Sequence, residues 1–407
     1  MKALVSVRRS RAEPARSVLA FYGDAPYQPR MHSDTNTTSA DNRYDAVALL
    51  SGGLDSILAV KVIQDQGLRV KCLHFVSPFF GKPHKRRHWE AIYGIDIENV
   101  DISEDYVRLL TERPVYGFGK VLNPCVDCKI IMMRKASEMM HRYGARFIIS
   151  GEVLGQRPMS QRQDTLNVIR RDADVREVLL RPLCAKHLDP TEVELSGLVD
   201  RERLLGIKGR GRSEQLALAK HYGFAEVPTP GGGCKLAEKE NARRYWPVLK
   251  FSPKPSVRDF KLSNIGRQYW AEDKWMIVGR NQMDNTALLK VCGDDDLIFR
   301  LRGFPGPIAV GRQFEGKAWA QEEIADAAAF TASFSPKAVQ SGQDVTVRVS
   351  CAADLRKQGD SGSEQGPVAN EMLFTVTPCR QTPIGWCESE WPVVREEIRA
   401  DMRDKRA

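Results

Sequence analysis

Leu49-Leu-Ser-Gly-Gly-Leu-Asp-Ser56 decides the reading of this chain. Ahead of it, Asp45-Ala-Val-Ala-Leu-Leu50 is short and almost wholly apolar, the pattern of a buried parallel strand. Beyond it, Leu54, Leu58 and Val62 recur at helical spacing and form an apolar stripe. The stretch predicts a strand, a tight glycine turn and a helix start in direct succession. Gly52 and Gly53 tolerate positive φ and bare their N–H groups, and the helix amino end adds partial positive charge. Such a turn is a site for an anion. It is neither a Walker loop, which ends in Gly-Lys-Ser/Thr, nor a GxGxxG turn.

The chain has 407 residues, room for two or three domains. No apolar run reaches the roughly 18 residues of a membrane helix, so no membrane partner is expected. The net charge of +9 suits a polyanionic partner. Basic residues gather at Lys82, Lys85, Arg86 and Arg87, and again in Ile207-Lys-Gly-Arg-Gly-Arg-Ser213. Nine cysteines without a secretory signal predict a reducing, cytoplasmic setting, where thiols serve as ligands or nucleophiles.

Residues 1–43 are polar and read as a disordered tail. From 44 to about 170, short apolar runs alternate with amphipathic ones. Strands are expected at 45–50, 69–76, 98–102 and 146–150, and a helix from Ser103 to about Thr111. That alternation implies an α/β fold, a doubly wound parallel sheet with ligands at the carboxyl ends of its strands. Gly53 and Gly151 both lie at such ends. A mainly helical extension runs on to about 250, with helices opened by Pro190-Thr-Glu-Val-Glu194 and capped by Ser213. It closes on Val227-Pro-Thr-Pro-Gly-Gly-Gly-Cys234. Residues 251–256 read as a linker, 255–395 as a separate α+β domain with a mobile loop at 357–367, and 396–407 as a tail. Within that domain, strands are expected at 274–278, 307–310, 345–349 and 371–376, around an alanine-rich helix at about 321–330.

Asn123-Pro-Cys-Val-Asp-Cys128 opens a helix whose apolar face is Ile130, Met133, Ala136 and Met140. Cysteines three apart share a face of the first turn, where the helix dipole favours thiolate. Cys234, in its Pro/Gly turn, is the natural third partner; Cys72 and Cys292 read as core residues. Three thiolates leave three chemistries open. Zinc would recruit a fourth ligand, one of His141, His187 and His221 or a fourth cysteine. A 4Fe-4S cube would keep one iron free of protein. Without metal, one cysteine carries a persulfide that another resolves.

Ser51, Gly52, Gly53, Asp55 and Ser56 resemble, residue for residue, the SGGxDS signature of the PP-loop ATP pyrophosphatases. Cys125, Cys128 and Cys234 resemble the CxxC-plus-distant-Cys triad of the iron–sulfur-dependent tRNA thiouridine synthases, a branch that includes the 4-thiouridine synthases. Gly151-Glu-Val-Leu-Gly-Gln156 is similar to their second substrate loop, and Arg181-Pro-Leu183 to a following element; the likeness covers about 44–245. Two expectations depart from the family: no room before Tyr44 for its usual amino-terminal RNA-binding domain, and no appended rhodanese domain. Met276-Ile-Val-Gly-Arg-Asn281, Asn285, Leu288-Leu289, Gly303-Phe-Pro-Gly-Pro307 and Ala327-Ala-Ala-Phe330 resemble the NFACT RNA-binding domain, loosely, over about 255–395. Arg280, Arg300, Arg302 and Arg312 are then candidate phosphate contacts.

These resemblances imply an ATP-dependent tRNA sulfurtransferase that adenylates a uridine carbonyl and replaces oxygen with sulfur. Asp55 would orient Mg²⁺ or pyrophosphate, Ser51, Gly52, Gly53, Ser56 and Gly151 would hold ATP, and Cys125, Cys128 and Cys234 would carry a 4Fe-4S cluster. The implied partners are tRNA and a sulfur donor, inorganic sulfide or a cysteine desulfurase. The rivals are a PP-loop ligase or amidotransferase acting on a small metabolite, and an RNA-binding protein with a vestigial ATP site.

Overall fold

The computed structural model describes residues 44–228, 233–357 and 370–404. The tail expected at 1–43, residues 229–232 of the Pro/Gly turn and nearly all of the 357–367 loop lie outside the described residues. Two compact units interleave along the chain. The first takes residues 44–75, 82–100 and 129–228; the second takes 76–81, 101–128 and the described residues from 233 onward.

The first unit is built on a five-stranded sheet: β1 (Ala46–Leu49), β2 (Val70–Val76), β3 (Asp96–Asp101), β4 (Phe147–Ser150) and β5 (Leu179–Leu180). The spatial order is β3-β2-β1-β4-β5. β1 pairs in parallel with β2 and with β4, and β4 with β5. All four residues of β1 and of β4 are buried, which explains runs with no polar alternation. The chain winds outward from β1 through β2 to β3, then returns to the other side of β1 with β4. The switch point therefore falls between β1 and β4, where a doubly wound sheet opens its ligand crevice. This is the expected fold class.

The helix Leu54–Gln64 comes after β1 and a four-residue turn. It buries Leu54, Leu58 and Val62 as its spacing predicts, and also Ile57, Ala59, Val60 and Ile63. A helix apolar on so many sides belongs inside the sheet's cover; each aliphatic side chain so buried stabilises by about 1.5–3 kcal/mol relative to exposure. β5 was not expected within the helical extension, because two residues are too few to show a period. Ser213 is the first residue of the helix Ser213–His221 rather than its cap, a position Arg212 takes.

The second unit carries a six-stranded antiparallel sheet in the order β11-β10-β8-β9-β7-β6. Its strands are β6 (Arg267–Ala271), β7 (Lys274–Val278), β8 (Leu297–Leu301), β9 (Ala309–Arg312), β10 (Val345–Cys351) and β11 (Met372–Val376). β7, β9, β10 and β11 fall where the sequence placed them, as does the alanine-rich helix Gln321–Ala332. The linker expected at 251–256 ends in Ser256, which caps the helix Val257–Ser263 by accepting from the Asp259 N–H. Residues 396–404 are no tail: they complete the helix Trp391–Asp404, whose Asp401 accepts from Arg113 at 2.7 and 3.0 Å. Nor does a single boundary near 250 describe this unit. Phe79 and Tyr106, from the earlier segments, pack as an aromatic cluster with Tyr245 and Phe260. That burial draws 76–81 and 101–128 into the second unit.

Candidate nucleotide site and cysteine cluster

Each element of the glycine turn has a physical reason. Gly52 has φ +74°, and a Cβ there would stand 2.3 Å from the ring of Trp89, so no other residue fits. The two serines brace the turn from within. Ser56 donates to the Gly53 carbonyl at 2.8 Å, its hydroxyl lies 3.2 Å from that of Ser51, and the Ser51 hydroxyl accepts from the Gly53 N–H at 3.3 Å. The helix begins at Leu54 with Asp55 in its first turn.

The second loop closes on this turn at van der Waals distance. A Cβ on Gly151 would come within 2.6 Å of the Asp55 carbonyl oxygen and of Ser56 Cα. Gln156, five residues on, donates to Asp55 Oδ2 at 3.3 Å. Among the described residues, Asp55 Oδ1 is buried with no hydrogen-bond partner. Ser51, Gly52, Gly53, Asp55, Ser56 and Gly151 thus come together at the switch point. A glycine cradle at a helix amino end, with an acidic oxygen left unbonded beside it, fits a nucleotide polyphosphate and its divalent cation.

Glu152 holds the second loop in place. It is buried, accepts from Arg181 Nε at 3.1 Å and lies 3.7 Å from Lys129 Nζ. Burial pushes its carboxyl up, but Lys129 and Arg181 outweigh burial and hold it below the usual carboxylate range. Lys129 is the residue after Cys128, and Glu152 the residue after Gly151.

His74 escaped the sequence reading. It is buried on β2, accepts from the Lys82 N–H at Nε2 (2.8 Å) and sits 2.9 Å from the Leu50 carbonyl at Nδ1. That pairing makes it the neutral Nδ1–H tautomer. One ring thereby ties the entry of the glycine turn to the basic stretch at Lys82. A single histidine in an apolar run carries no pattern that would have revealed it.

The cysteines lie in the second unit. Cys125 and Cys128 open the helix Cys125–Arg142 as expected, and Ile130, Met133, Ala136 and Met140 are buried on it. Between the two cysteines, buried Asp127 accepts from the Val115 N–H at 2.9 Å and the Tyr116 N–H at 3.1 Å, fixing the preceding loop. Asn123 donates to Cys125 Sγ at 3.0 Å. Cys234 is placed by its downstream neighbour: Lys235 donates its N–H to Phe79 and its Nζ to Asn264 Oδ1 at 2.9 Å, and Asn264 reaches the Pro78 carbonyl at 3.0 Å. Neither Asp127 nor Asn264 was singled out in sequence.

All three thiols act on one buried hydroxyl. The Tyr106 phenol is raised well above its ordinary pKa by burial, then by the charges of Cys128 and Cys234, a hydrogen bond with Cys128, and Cys125. The Cys234 thiol is pushed up to about 11, chiefly by burial and further by Cys125. It keeps its proton unless a cation displaces it, which is how thiolate–metal sites form. Among the described residues, no group of three or more His, Cys, Asp or Glu side chains stands where it could hold a metal ion. What the three thiols share is an electrostatic effect on the Tyr106 phenol rather than one ion position. A cubane takes its thiolates on separate irons, and this donor set suits that chemistry.

Two further expectations meet the geometry differently. Cys72 and Cys292 are buried, as core residues should be. Arg312 is not a phosphate contact: it bridges Asp259 (2.7 Å) and Asp296 (3.1 Å), both fully buried. Arg300 faces Glu371 at 3.4 Å, Arg280 pairs with Asp284 at 2.7 Å, and Arg302 is exposed.

A doubly wound sheet with a serine-braced glycine turn and a second glycine loop at its switch point defines an α/β fold of the PP-loop type. Residues 42–192 match the family model described as Thiamine biosynthesis protein (ThiI). A probable tRNA sulfurtransferase of Thermococcus kodakarensis is 28% identical over 151 residues, 36% of this chain and 38% of the relative. One from Staphylococcus aureus (strain Newman) is 31% identical over 111 residues, 26% of this chain and 27% of the relative. The chain thus spans well under half the length of these relatives. Among solved structures, the U34-tRNA thiolase NcsA from Methanococcus maripaludis with its [4Fe-4S] cluster is 16% identical, with a TM-score of 0.28, covering 54% of this chain and 72% of that one. Among the described residues, no helix is long and apolar enough to cross a membrane.

Proposed function

We propose that this chain is an ATP-dependent tRNA sulfurtransferase that activates a uridine carbonyl as its adenylate. The observation that carries the reading is the intact SGGLDS turn, with Asp55 Oδ1 left unbonded where the second glycine loop closes on it. The sulfurtransferases similar to the ThiI-type segment support the choice of tRNA, and the three thiols that act on Tyr106 support sulfur chemistry.

In this mechanism the N–H groups of the Ser51–Ser56 turn hold the ATP phosphates; Asp55 Oδ1 would hold Mg²⁺, which would supply positive charge against the leaving pyrophosphate. The uracil carbonyl oxygen attacks the α-phosphorus, and the bond to the pyrophosphate oxygen breaks. A sulfur nucleophile then adds to the activated carbon and AMP leaves with the former carbonyl oxygen. Cys125, Cys128 and Cys234 would hold a 4Fe-4S cluster, which supplies a site for the incoming sulfur. Gly151 and Glu152 position the second loop against the turn. The base must leave its stack to be reached, and exposed arginines of the second unit, Arg302 and Arg280, are the proposed backbone contacts. Inorganic sulfide or a cysteine desulfurase is the proposed donor, and the cytoplasm the proposed setting.

The test is AMP release from ATP with and without tRNA, followed by mass spectrometry of the tRNA nucleosides. We expect tRNA-dependent AMP and a thiolated uridine, both abolished by Asp55→Ala. AMP release stimulated by a small metabolite instead of tRNA would overturn the reading in favour of a ligase.

A further inference from the structure

We infer that Arg212 is a phosphate-binding residue of the nucleotide site, one that exchanges the Asp55 carboxylate for the β- and γ-phosphate oxygens of a bound nucleoside triphosphate. The inference rests on the nucleotide reading above and names a residue of that site which the resemblance does not supply. In the sequence, the Ile207–Ser213 run is equally at home on a solvated face or an RNA surface. The fold puts it elsewhere.

The run is laced to the second glycine loop. Leu154 and Lys208 form a parallel bridge, and the Gly209 N–H donates to the Leu154 carbonyl at 2.8 Å. Gly155 and Gly209 both have positive φ (+77° and +84°), and a Cβ on Gly155 would lie 3.7 Å from Gly209. The two segments thus run side by side, joined by this bridge and hydrogen bond, with a positive-φ glycine in each. The pairing delivers Arg212, at the cap of the helix Ser213–His221, to the glycine turn. There its Nη2 stands 3.9 Å from Asp55 Oδ2.

That distance is informative. Arg181 closes on buried Glu152 to 3.1 Å, and Arg312 on buried Asp259 to 2.7 Å, as pairs do when the contact itself is the purpose. Arg212 and Asp55 face each other too far apart for a hydrogen bond. Both also keep buried capacity unused: among the described residues, Arg212 Nε and Asp55 Oδ1 have no hydrogen-bond partner. Buried polar atoms in that state call for an explanation, and a ligand that needs both charges supplies one. A magnesium polyphosphate does: the cation takes the carboxylate, and the planar guanidinium takes phosphate oxygens. The resting pair keeps each charge compensated until the ligand separates them. AMP, with one phosphate, would not reach for this exchange, so the residue discriminates triphosphate and pyrophosphate from the product.

The experiment uses the full chain and three probes: MgATP, magnesium pyrophosphate and AMP. Their affinities are measured by calorimetry for wild type, Arg212→Met, which keeps the stem, and Arg212→Lys, which keeps the charge. We expect Arg212→Met to weaken ATP and pyrophosphate at least tenfold and AMP by less than twofold, with an unchanged melting temperature, and Arg212→Lys to recover part of the loss. Unchanged ATP affinity in Arg212→Met, or an equal loss for all three probes, overturns the inference. The Lys variant decides the case if the Met variant melts early: loss of ATP discrimination without loss of fold supports it, full retention with Met-like instability overturns it. Wild-type protein that binds none of the probes overturns the nucleotide reading itself, a result distinct from the variant outcomes.

Discussion

Replacing Gly151 with Ala puts one methyl group where the two glycine loops meet. Its Cβ would sit 2.6 Å from the Asp55 carbonyl oxygen and from Ser56 Cα, some 0.8 Å inside the 3.4 Å at which ordinary contact begins. Neither neighbour is a side chain that can swing away; both belong to the first turn of the Leu54–Gln64 helix, whose faces are buried. The second loop must therefore retreat, or the helix start must move, by the better part of an ångström. Overpacking of this kind costs about 1–3 kcal/mol. For a unit of this size that lowers the melting temperature by roughly 2–12 °C. A misplacement of about 1 Å at the reacting centre costs on the order of 10²-fold in rate. Activity should accordingly fall much further than stability: the protein stays folded while AMP formation nearly vanishes. Gly211→Ala is the control, since a Cβ there meets nothing within 4 Å. Calorimetric melting and tRNA-dependent AMP release measure both effects. A Gly151→Ala protein that melts and turns over like wild type would refute the claim that the loops are in contact at the reacting centre.

Arg312→Ala strands Asp259 and Asp296 as buried charges and should cost about 3–5 kcal/mol in urea unfolding, while Arg302→Ala should stay within about 0.5 kcal/mol; equal effects would return Arg312 to the surface contacts. His74 is depressed below the ordinary histidine value, by burial first, then opposed by its backbone hydrogen bond and assisted by Lys82. The unfolded chain therefore binds the extra proton at higher pH, so this stability is complete above 6.5 and is lost as pH falls below it, at no more than about 1.4 kcal/mol per pH unit. A His74→Gln protein with the same slope between pH 7 and 5 would assign the loss to other groups. Anaerobically purified protein should carry about four irons per chain, lost on changing Cys125, Cys128 or Cys234 to Ala; iron-free protein fully active with a sulfur donor would sink the cluster.

Much of this molecule is legible in one dimension because local rules govern it. A buried strand, a glycine turn and a helix start need only neighbours in sequence, so LLSGGLDS marks its own structure, and CxxC at a helix start does the same. The alternation of strands and helices after it is enough for the sheet class, since parallel strands need crossovers between them. What the chain could not display is which distant groups meet. β5 is too short for a period, and His74, Asp127 and Asn264 are single polar residues whose meaning is a partner many positions away. The fate of each arginine was settled the same way: Arg312 and Arg212 look alike in sequence, yet one is locked between two buried carboxylates and the other is delivered loosely to the glycine turn. Charge is a property of a residue, but what a charge does depends on the distance and burial of its counter-charge, and only tertiary structure sets those.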